Sequence, residues 1–266
     1  MDQIHLDVAI RAARAGAAEL MARRDDHDVM KKAPKDLVTD ADLASQKIIR
    51  KILTDAFDGY AFVGEEHGEN DPPDDVRRGD PAAPPCWVVD PLDGTINFVH
   101  GLQSFAVSIG LHHRGQMVLG VVFDPVCGEM FTAVAGGQAM LNNRPIRASG
   151  CEQIGESLLA CSFPAGVRGG DPEVARFIRV LERCRSLRRL GSCALNLCYV
   201  AAGRLDAYWA TNVCSWDAAA GGVIATAAGA KLTGYDGGQM DDWRPKFCVA
   251  GSETLQRELV GLLSPE

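Results

Sequence analysis

Two short apolar segments that run directly into acidic residues constrain the fold of this chain most strongly. Residues 60–63 (YAFV) are followed, after one glycine, by Glu65 and Glu66, and residues 87–89 (WVV) are followed by Asp90. Apolar runs of this length between polar segments predict buried strands. If the two strands are neighbours in one sheet, Glu65 and Asp90 emerge at the same edge with their carboxylates close together.

Carboxylates held this close repel one another, so they require a bound cation or a raised pKa. Oxygen ligands without histidine or cysteine favour a hard ion, Mg²⁺ before Zn²⁺. Two further acidic elements lie at predicted helix starts: Asp40 with Asp42, and Asp217, for which Ser215 is the predicted cap. The sequence therefore contains enough acids for a magnesium site, provided that the fold brings them together.

The segment DPLDGT, residues 90–95, adds a second acid and a helix start to Asp90. Asp93 is followed by Gly94 and Thr95, which are predicted to begin a helix whose free N–H groups can bind a phosphate. Metal ligands beside an anion site are what phosphoryl transfer to water requires. Taken alone, the segment is equally compatible with a turn.

Each of the other acidic elements also has a simpler interpretation when it is considered alone. Asp217 can stabilise a helix dipole, Asp40 and Asp42 can cap a helix, and Glu65 with Glu66 can form a solvated turn. The occurrence of all of them in one chain favours a shared site.

A second phosphatase mechanism, that of the haloacid-dehalogenase type, requires an Asp-x-Asp-x-Thr/Val run after an apolar strand. Asp40-Ala-Asp42-Leu43 lacks the Thr or Val, and Asp90 and Asp93 are three residues apart instead of two. The motifs also contain no serine, cysteine or histidine nucleophile. The sequence therefore favours direct attack by water over a phosphorylated enzyme.

The pattern of elements changes at about residue 150. Before it, helices are predicted at residues 3–24 and 40–56, a basic loop at 31–36 and a surface loop at 68–85. Antiparallel strands follow from residue 105, with His112 and His113 predicted to form a turn. After residue 150, strands and helices alternate. We expect an α+β half at residues 1–150 that carries most metal ligands, and an α/β half at residues 151–266 that carries Asp217 and the residues that determine substrate specificity.

Composition limits the kinds of binding partner and the cellular compartment that we expect. The net charge of −8 disfavours nucleic-acid binding, and no apolar run approaches the roughly 18 residues of a membrane span. Nine cysteines without a Cys-x-x-Cys pair predict reduced thiols, and the N-terminus shows no secretory signal, so we expect a cytoplasmic protein. One basic cluster is expected to be a solvated helix end, with a subunit contact or an anionic-substrate contact as alternatives: Arg179, Arg183, Arg185, Arg188 and Arg189.

These residues together resemble the inositol monophosphatase family. The resemblance lies in WVVDPLDGTINFVHG at residues 87–101 and WDAAAGGVIATAAGAKLT at residues 216–233, with DLVTDAD at 36–42 and GEE at 64–66 in the family's order. It implies a layered α-β-α-β-α sandwich of the inositol monophosphatase and fructose-1,6-bisphosphatase type. It also implies a homodimer, two or three Mg²⁺ ions per site and sensitivity to lithium.

The resemblance also implies a role for individual residues. The implied metal ligands are Glu65, Asp90, the backbone carbonyl of Leu92, Asp93 and Asp217. The implied catalytic residues are Asp42, Thr95 and Glu65, with Thr95 and Asp42 orienting the attacking water. The implied substrate contacts are Asp93, Gly94, Thr95 and Asp217. Glu66 is expected to support the ligands, and either Lys31 or Lys32 is expected to approach the site.

The implied reaction is Mg²⁺-dependent hydrolysis of a small phosphate monoester, with myo-inositol 1-phosphate as the first choice of substrate. Inositol-specific members place a glutamate seven residues before the second-half aspartate, where this chain has Ala210, with Asn212 nearby; Cys193 stands where a small residue lines the pocket. The alternatives are histidinol phosphate, fructose 1,6-bisphosphate, another sugar phosphate or a 3′-phosphonucleotide, or a member of the family with a regulatory binding role.

Overall fold

The structure is a computed structural model that describes residues 3–33, 36–66, 71–164 and 166–264. Within these ranges there are eight helices and fourteen strands. The helices are α1 Gln3–Ala22, α2 Asp40–Ala56, α3 Asp74–Arg77, α4 Thr95–Val99, α5 Pro172–Leu181, α6 Cys193–Ala201, α7 Ser215–Ala227 and α8 Glu253–Leu263. The strands are β1 Val29–Ala33, β2 Asp36–Thr39, β3 Ala61–Gly64, β4 Cys86–Asp93, β5 Ala106–His113, β6 Gln116–Asp124, β7 Glu129–Val134, β8 Met140–Leu141, β9 Arg144–Pro145, β10 Leu158–Ser162, β11 Ser186–Arg188, β12 Ala207–Ala210, β13 Lys231–Gly234 and β14 Phe247–Ala250.

The first sheet has seven strands in the order β3-β4-β5-β6-β7-β8-β9. β3 and β4 run parallel, and the later neighbours are antiparallel. A segment that contains α4 connects β4 to β5, whereas short turns connect β5 to β6 and β6 to β7. Every residue of β4 is buried because both faces of this strand are covered by helices.

The second sheet has five strands in the order β11-β10-β12-β14-β13. β10 pairs in parallel with β11 and β12, whereas β14 pairs antiparallel with β12 and β13. Side chains alternate along β12: Tyr208 and Ala210 face one core cluster, and Ala207 and Trp209 face another. This sheet is therefore also buried on both faces.

Three helix layers and two sheets alternate through the molecule. α1 and α2 pack on one face of the first sheet, α6 and α7 lie between the two sheets, and α5 and α8 cover the far face of the second sheet. This is the α-β-α-β-α sandwich that the family resemblance implies, which confirms the expected fold class. The first sheet lies within residues 61–145 and the second within 158–250; the division into two halves at about residue 150 stays a prediction.

The segment predicted as a basic loop at residues 31–36 is mostly extended instead. β1 and β2 pair antiparallel, with Val29 opposite Thr39 and Met30 opposite Val38. The prediction was wrong because apolar residues flank the basic stretch on both sides and favour a paired ribbon. Residues 34 and 35 lie outside the described residues.

Two other local predictions were also wrong. His112 and His113 are the last residues of β5, and the turn lies at Arg114 and Gly115, both with positive φ. His112 is 2% exposed because Trp243 covers its ring at 4.9 Å. The predicted surface loop at residues 68–85 contains α3, whose Val76 is buried in the core, while residues 67–70 lie outside the described residues.

Candidate active site

The parallel pair β3 and β4 brings Glu65 and Asp90 to one sheet edge. Gly64 lies opposite Val89, and the backbone N–H of Glu65 donates to the carbonyl of Val89 at 3.3 Å. Asp90 is therefore the next position along β4, as the neighbouring-strand hypothesis requires. Strands that run parallel end at the same edge, so both carboxylates leave the sheet there.

Three aspartates from distant parts of the chain meet beside that edge. Asp90, Asp93 and Asp217 each place a carboxylate oxygen so that all three oxygens lie within 4.8 Å of one another. Asp90 and Asp93 come from the end of β4, where an irregular register lies between them, and Asp217 comes from the first turn of α7. The middle helix layer thus adds a carboxylate to a cluster that the first sheet begins.

Asp93 is held by the N-terminus of α6. Its carboxylate accepts hydrogen bonds from the backbone N–H groups of Cys193 at 3.0 Å and Ala194 at 2.8 Å, and from the hydroxyl of Ser192. A carboxylate at this position satisfies N–H groups that have no intrahelical partner. One oxygen accepts only from Cys193 and keeps capacity for a further partner.

Burial and mutual repulsion raise the pKa of these acids. For Asp90 burial is the main cause, and Glu65, Asp93 and Asp217 raise its pKa further, well above the usual range. Burial, then Asp93 and Glu65, raise the pKa of Asp217 to about 8. Burial raises the pKa of Asp93 only to about 6, because Ser192 and the α6 N–H groups stabilise its charged form.

The donor set fits a hard divalent cation. The cluster consists of carboxylate oxygens, and the like charges that raise the three pKa values are those that a cation between them would neutralise. Glu65 is close enough to act on the pKa of all three aspartates. Burial, then the charge of Asp217, raises the pKa of the Cys193 thiol, so this thiol stays protonated and is a poor metal ligand or nucleophile.

Thr95, the last residue of the DPLDGT segment, lies close to Asp42. The Thr95 hydroxyl lies 3.3 Å from Asp42 Oδ1 and 3.1 Å from the carbonyl of Leu92. Asp42 is fully buried, and its Oδ2 accepts from the backbone N–H of Thr39 at 2.8 Å in a capping box at the start of α2. Helix capping thus fixes the carboxylate that faces the threonine.

Gly94 satisfies two constraints at once. Its φ is +97°, in the region that favours glycine, and a Cβ there would lie 2.8 Å from the carbonyl oxygen of Ser104. This conformation turns the chain from β4 into α4, as the sequence predicts. Thr95 begins the five-residue α4, whose first N–H groups have no partner within the helix.

Sequence reasoning missed several residues that position the site. Gln46 of α2 receives a hydrogen bond from the Glu66 N–H at 2.9 Å and donates to the Glu66 carbonyl at 2.6 Å. Ser45 donates to the carbonyl of Pro91 at 3.0 Å. The apolar pattern that predicts α2 does not indicate these hydrogen bonds. Ser192, the cap of α6, had a capping signal but none that linked it to Asp93.

The other predicted positions are not part of the acid cluster. Lys31 is exposed in β1, and the side chain of Lys32 lies outside the described residues. Cys214, not Ser215, is the N-cap of α7, and its N–H donates to Asp217 Oδ2 at 2.7 Å. Ala210 is fully buried, whereas Asn212 is exposed with a φ of +55°.

Comparison with known proteins agrees with this geometry. The model of the inositol monophosphatase family matches residues 2–264, nearly the whole chain. The chain belongs to the inositol monophosphatase family. Members of this family are metal-dependent phosphatases, and this chain is accordingly a phosphoric monoester hydrolase.

Individual members of the inositol monophosphatase family are similar over almost their full length. An inositol-1-monophosphatase of Mesorhizobium japonicum is 39% identical, with 96% of this chain and 94% of the relative covered. A protein of Pasteurella multocida named Nus factor SuhB is 36% identical, with 98% and 96% covered. The crystal structure of the extragenic suppressor protein suhB of Bartonella henselae superposes with a TM-score of 0.87 at 34% identity, with 97% and 98% covered.

Proposed function

We propose that this protein hydrolyses a small phosphate monoester in a Mg²⁺-dependent reaction, with myo-inositol 1-phosphate as the first substrate to test. The observation that carries the proposal is the convergence of Asp90, Asp93 and Asp217 within 4.8 Å, next to a threonine paired with a buried aspartate. Glu65 and the carbonyl of Leu92 complete the proposed ligand set for two or three ions.

Mg²⁺, when bound, would neutralise charge on the phosphate and lower the pKa of a water. The chain's own residues orient the reactants. Thr95 accepts a hydrogen bond from the attacking water while its hydroxyl donates to Asp42, which is the group able to draw the proton away. The N–H groups at Gly94 and Thr95 bind the phosphate. A bond forms from the water oxygen to phosphorus as the water proton passes to Asp42. The ester P–O bond breaks, and the leaving oxygen takes a proton from solvent water to give the alcohol.

The identity of the alcohol is the open part of the proposal. Ala210 stands in place of the inositol-contacting glutamate and is buried, so this position offers no acceptor to a polyol. The exposed Asn212 and the acids of the cluster are candidates to contact substrate hydroxyls. Histidinol phosphate, fructose 1,6-bisphosphate, other sugar phosphates and a 3′-phosphonucleotide are therefore the alternatives to myo-inositol 1-phosphate.

Phosphate release from these substrates, measured with Mg²⁺ and with a chelator, tests the proposal. We expect Mg²⁺-dependent turnover, with the highest kcat/KM on myo-inositol 1-phosphate, and inhibition by Li⁺. Asp90→Asn and Asp217→Asn should each lower kcat at least about 100-fold, because each removes a charged ligand. The proposed site assignment is wrong if either variant keeps near-native, Mg²⁺-dependent activity.

The names of several relatives support a second candidate function. Proteins of Pasteurella multocida and Pseudomonas aeruginosa that are each 36% identical to this chain are named Nus factor SuhB. A regulatory binding role for this chain is therefore a proposal beside catalysis. Absence of phosphate release from every substrate, in a folded protein that binds Mg²⁺, would favour this regulatory role.

The assembly and the compartment are parts of the same proposal. α5 exposes two apolar side chains on one face, Ile178 and Leu181, each 44% exposed, which supports a homodimer that sedimentation would detect. All nine cysteines are free, which supports the reducing cytoplasm. Among the described residues, none of the helices has the length and apolar character needed to cross a membrane.

A further inference from the structure

A cavity of about 560 Å³ opens beside α7, at the edge of the middle helix layer. It lies between the turn that follows β7, the face of α7 and the segment after β13, and we call it the α7 slot. Its floor consists of four buried small side chains of α7: Ala218, Ala219, Gly222 and Val223. None of the residues lining the slot has a predicted catalytic or metal-binding role.

The α7 slot is already formed because α7 is fixed against the first sheet. A Cβ at Gly120 would lie 2.3 Å from the carbonyl oxygen of Ala220, and one at Gly110 would lie 2.8 Å from the Cβ of Ala219. Backbone contacts this close leave α7 no room to shift toward the sheet. A ligand that enters a preformed cavity does not have to open it, which lowers the cost of binding.

One carboxylate, that of Asp242, lines this mostly apolar cavity. Asp242 accepts a hydrogen bond from the backbone N–H of Met117, and the charge of Asp241 adds to the rise of its pKa. Asp242 also lines a neighbouring cavity with Arg77 and Arg78, but within the described parts of the chain no lysine, arginine or histidine forms an ion pair with it. Burial raises the pKa of Asp242 to about 6, so it is mainly ionised at neutral pH. A half-buried charge without a counter-ion is unfavourable, and a cationic ligand would relieve this cost.

The other lining residues determine what kind of ligand body the α7 slot can hold. Met117, Leu232 and Met240 add apolar surface to the α7 floor, and Gln116 and Gln239 lie at the rim. Unbranched methionine side chains adapt to different apolar shapes. A phosphate or carboxylate ligand would be repelled by Asp242, whereas a purely polar cation would leave the apolar walls unused.

We propose that the α7 slot binds a small amphipathic organic cation, with its ammonium group at Asp242 and its apolar body against the floor of α7. This is a second site, separate from the proposed phosphatase chemistry. It adds a class of ligand that the active site, built to bind phosphate and metal, would not recognise.

Three probes of similar shape and different charge test the proposal: 2-phenylethylammonium, the neutral 3-phenylpropan-1-ol and the anionic 3-phenylpropanoate. Amide chemical shifts of the full chain are titrated with each probe in saturating Mg²⁺, so that the cation does not compete for the acid cluster. We expect 2-phenylethylammonium to shift the amides of Ala219, Gly222 and Met117 and to bind about tenfold more tightly than the alcohol. The anion should bind more weakly than the alcohol.

Matched variants separate charge from shape. Asp242→Asn should abolish the tenfold preference for the cation, whereas Asp241→Asn, at the exposed neighbour that does not line the slot, should keep it. Thr226→Trp, on the exposed rim, should weaken binding of all three probes, with its thermal unfolding compared to wild type as a folding control. The proposal is overturned if no probe shifts the slot amides, or if Asp242→Asn retains the preference for the cation.

Discussion

Asp93 differs from the other aspartates of the cluster in what holds it. Two N–H groups of α6 and the Ser192 hydroxyl donate to its carboxylate, and its pKa of about 6 lies below the value of about 8 for Asp217. As the pH rises, Asp93 therefore becomes charged before Asp217. Protein donors thus favour the ionised form of one carboxylate of the cluster, which would preorganise the proposed metal site.

The Thr95 hydroxyl provides a test of the proposed water-orienting pair. Thr95→Ala should lower kcat about 100-fold with little change in KM, because it removes the contact between the water and Asp42. Thr95→Ser keeps the hydroxyl and should retain most of the activity. Initial rates with saturating Mg²⁺ give both constants. If Thr95→Ser is as slow as Thr95→Ala, the hydroxyl is not the group that matters.

The site was predictable where its residues lie in short local motifs and not where they meet across the chain. The order of Asp90, Asp93 and Gly94 can be read from six residues, and the structure places them as that order requires. The bond from Ser192 to Asp93 joins residues 99 apart in sequence, and the clamp from Gln46 to Glu66 spans 20. Such contacts depend on how the layers pack, which no local pattern specifies.

At the level of elements, α7 is packed so closely that it leaves little room for larger side chains. It lies between both sheets, and its helix backbone touches strands β5 and β6 at Gly110 and Gly120. The small residues of α7 are required because larger side chains would separate the layers that the acid cluster joins. The same run of alanines and glycines places Asp217 against the end of β4.

Gly120→Ala should destabilise the protein by about 3 kcal/mol, because the added methyl would lie 2.3 Å from the carbonyl oxygen of Ala220. Urea unfolding in Mg²⁺ measures the effect. Gly261→Ala in α8 is the matched control, since a Cβ there meets nothing within 4 Å and should stabilise the helix by up to about 1 kcal/mol. Equal unfolding midpoints for the two variants would contradict the close packing of α7.

Helices and strands could be predicted where the apolar periodicity is strong, and less well where pairing with another strand determines the structure. The helix predicted at residues 40–56 corresponds to α2, Asp40–Ala56. Residues 31–36, which include parts of β1 and β2, were predicted to form a loop because charged residues interrupt the apolar ones. A two-stranded ribbon depends on its partner, so its sequence alone gives a weak signal.

At the scale of the whole molecule, the acid cluster connects the two sheets. Glu65 directly follows β3, Asp90 and Asp93 lie at the end of β4, and Asp217 comes from the middle layer that also packs on the second sheet. A cation bound there would stabilise contacts between the layers as well as prepare the reaction. Metal binding should therefore be measurable as folding stability.

The stability of the metal-free protein should fall by about 1 kcal/mol between pH 7 and pH 8. The pKa of Asp217 is about 8 in the folded protein, above that of an unfolded aspartate, so the folded state holds an extra proton at pH 7 and has lost about half of it at pH 8. In Mg²⁺, stability should instead rise from pH 7 to pH 8, because fewer protons compete with the ion for the carboxylates at pH 8. Urea unfolding at both pH values, with a chelator and with Mg²⁺, measures both slopes.

Asp217→Asn identifies the group responsible, because the amide cannot titrate. The variant should be more stable than the wild type at pH 8 without metal, should lose most of the decrease between pH 7 and 8, and should gain less from Mg²⁺. A wild-type stability that rises over this interval, or an identical slope in the variant, would show that Asp217 does not titrate there. In either case, the proton that Mg²⁺ displaces over this interval would not be that of Asp217.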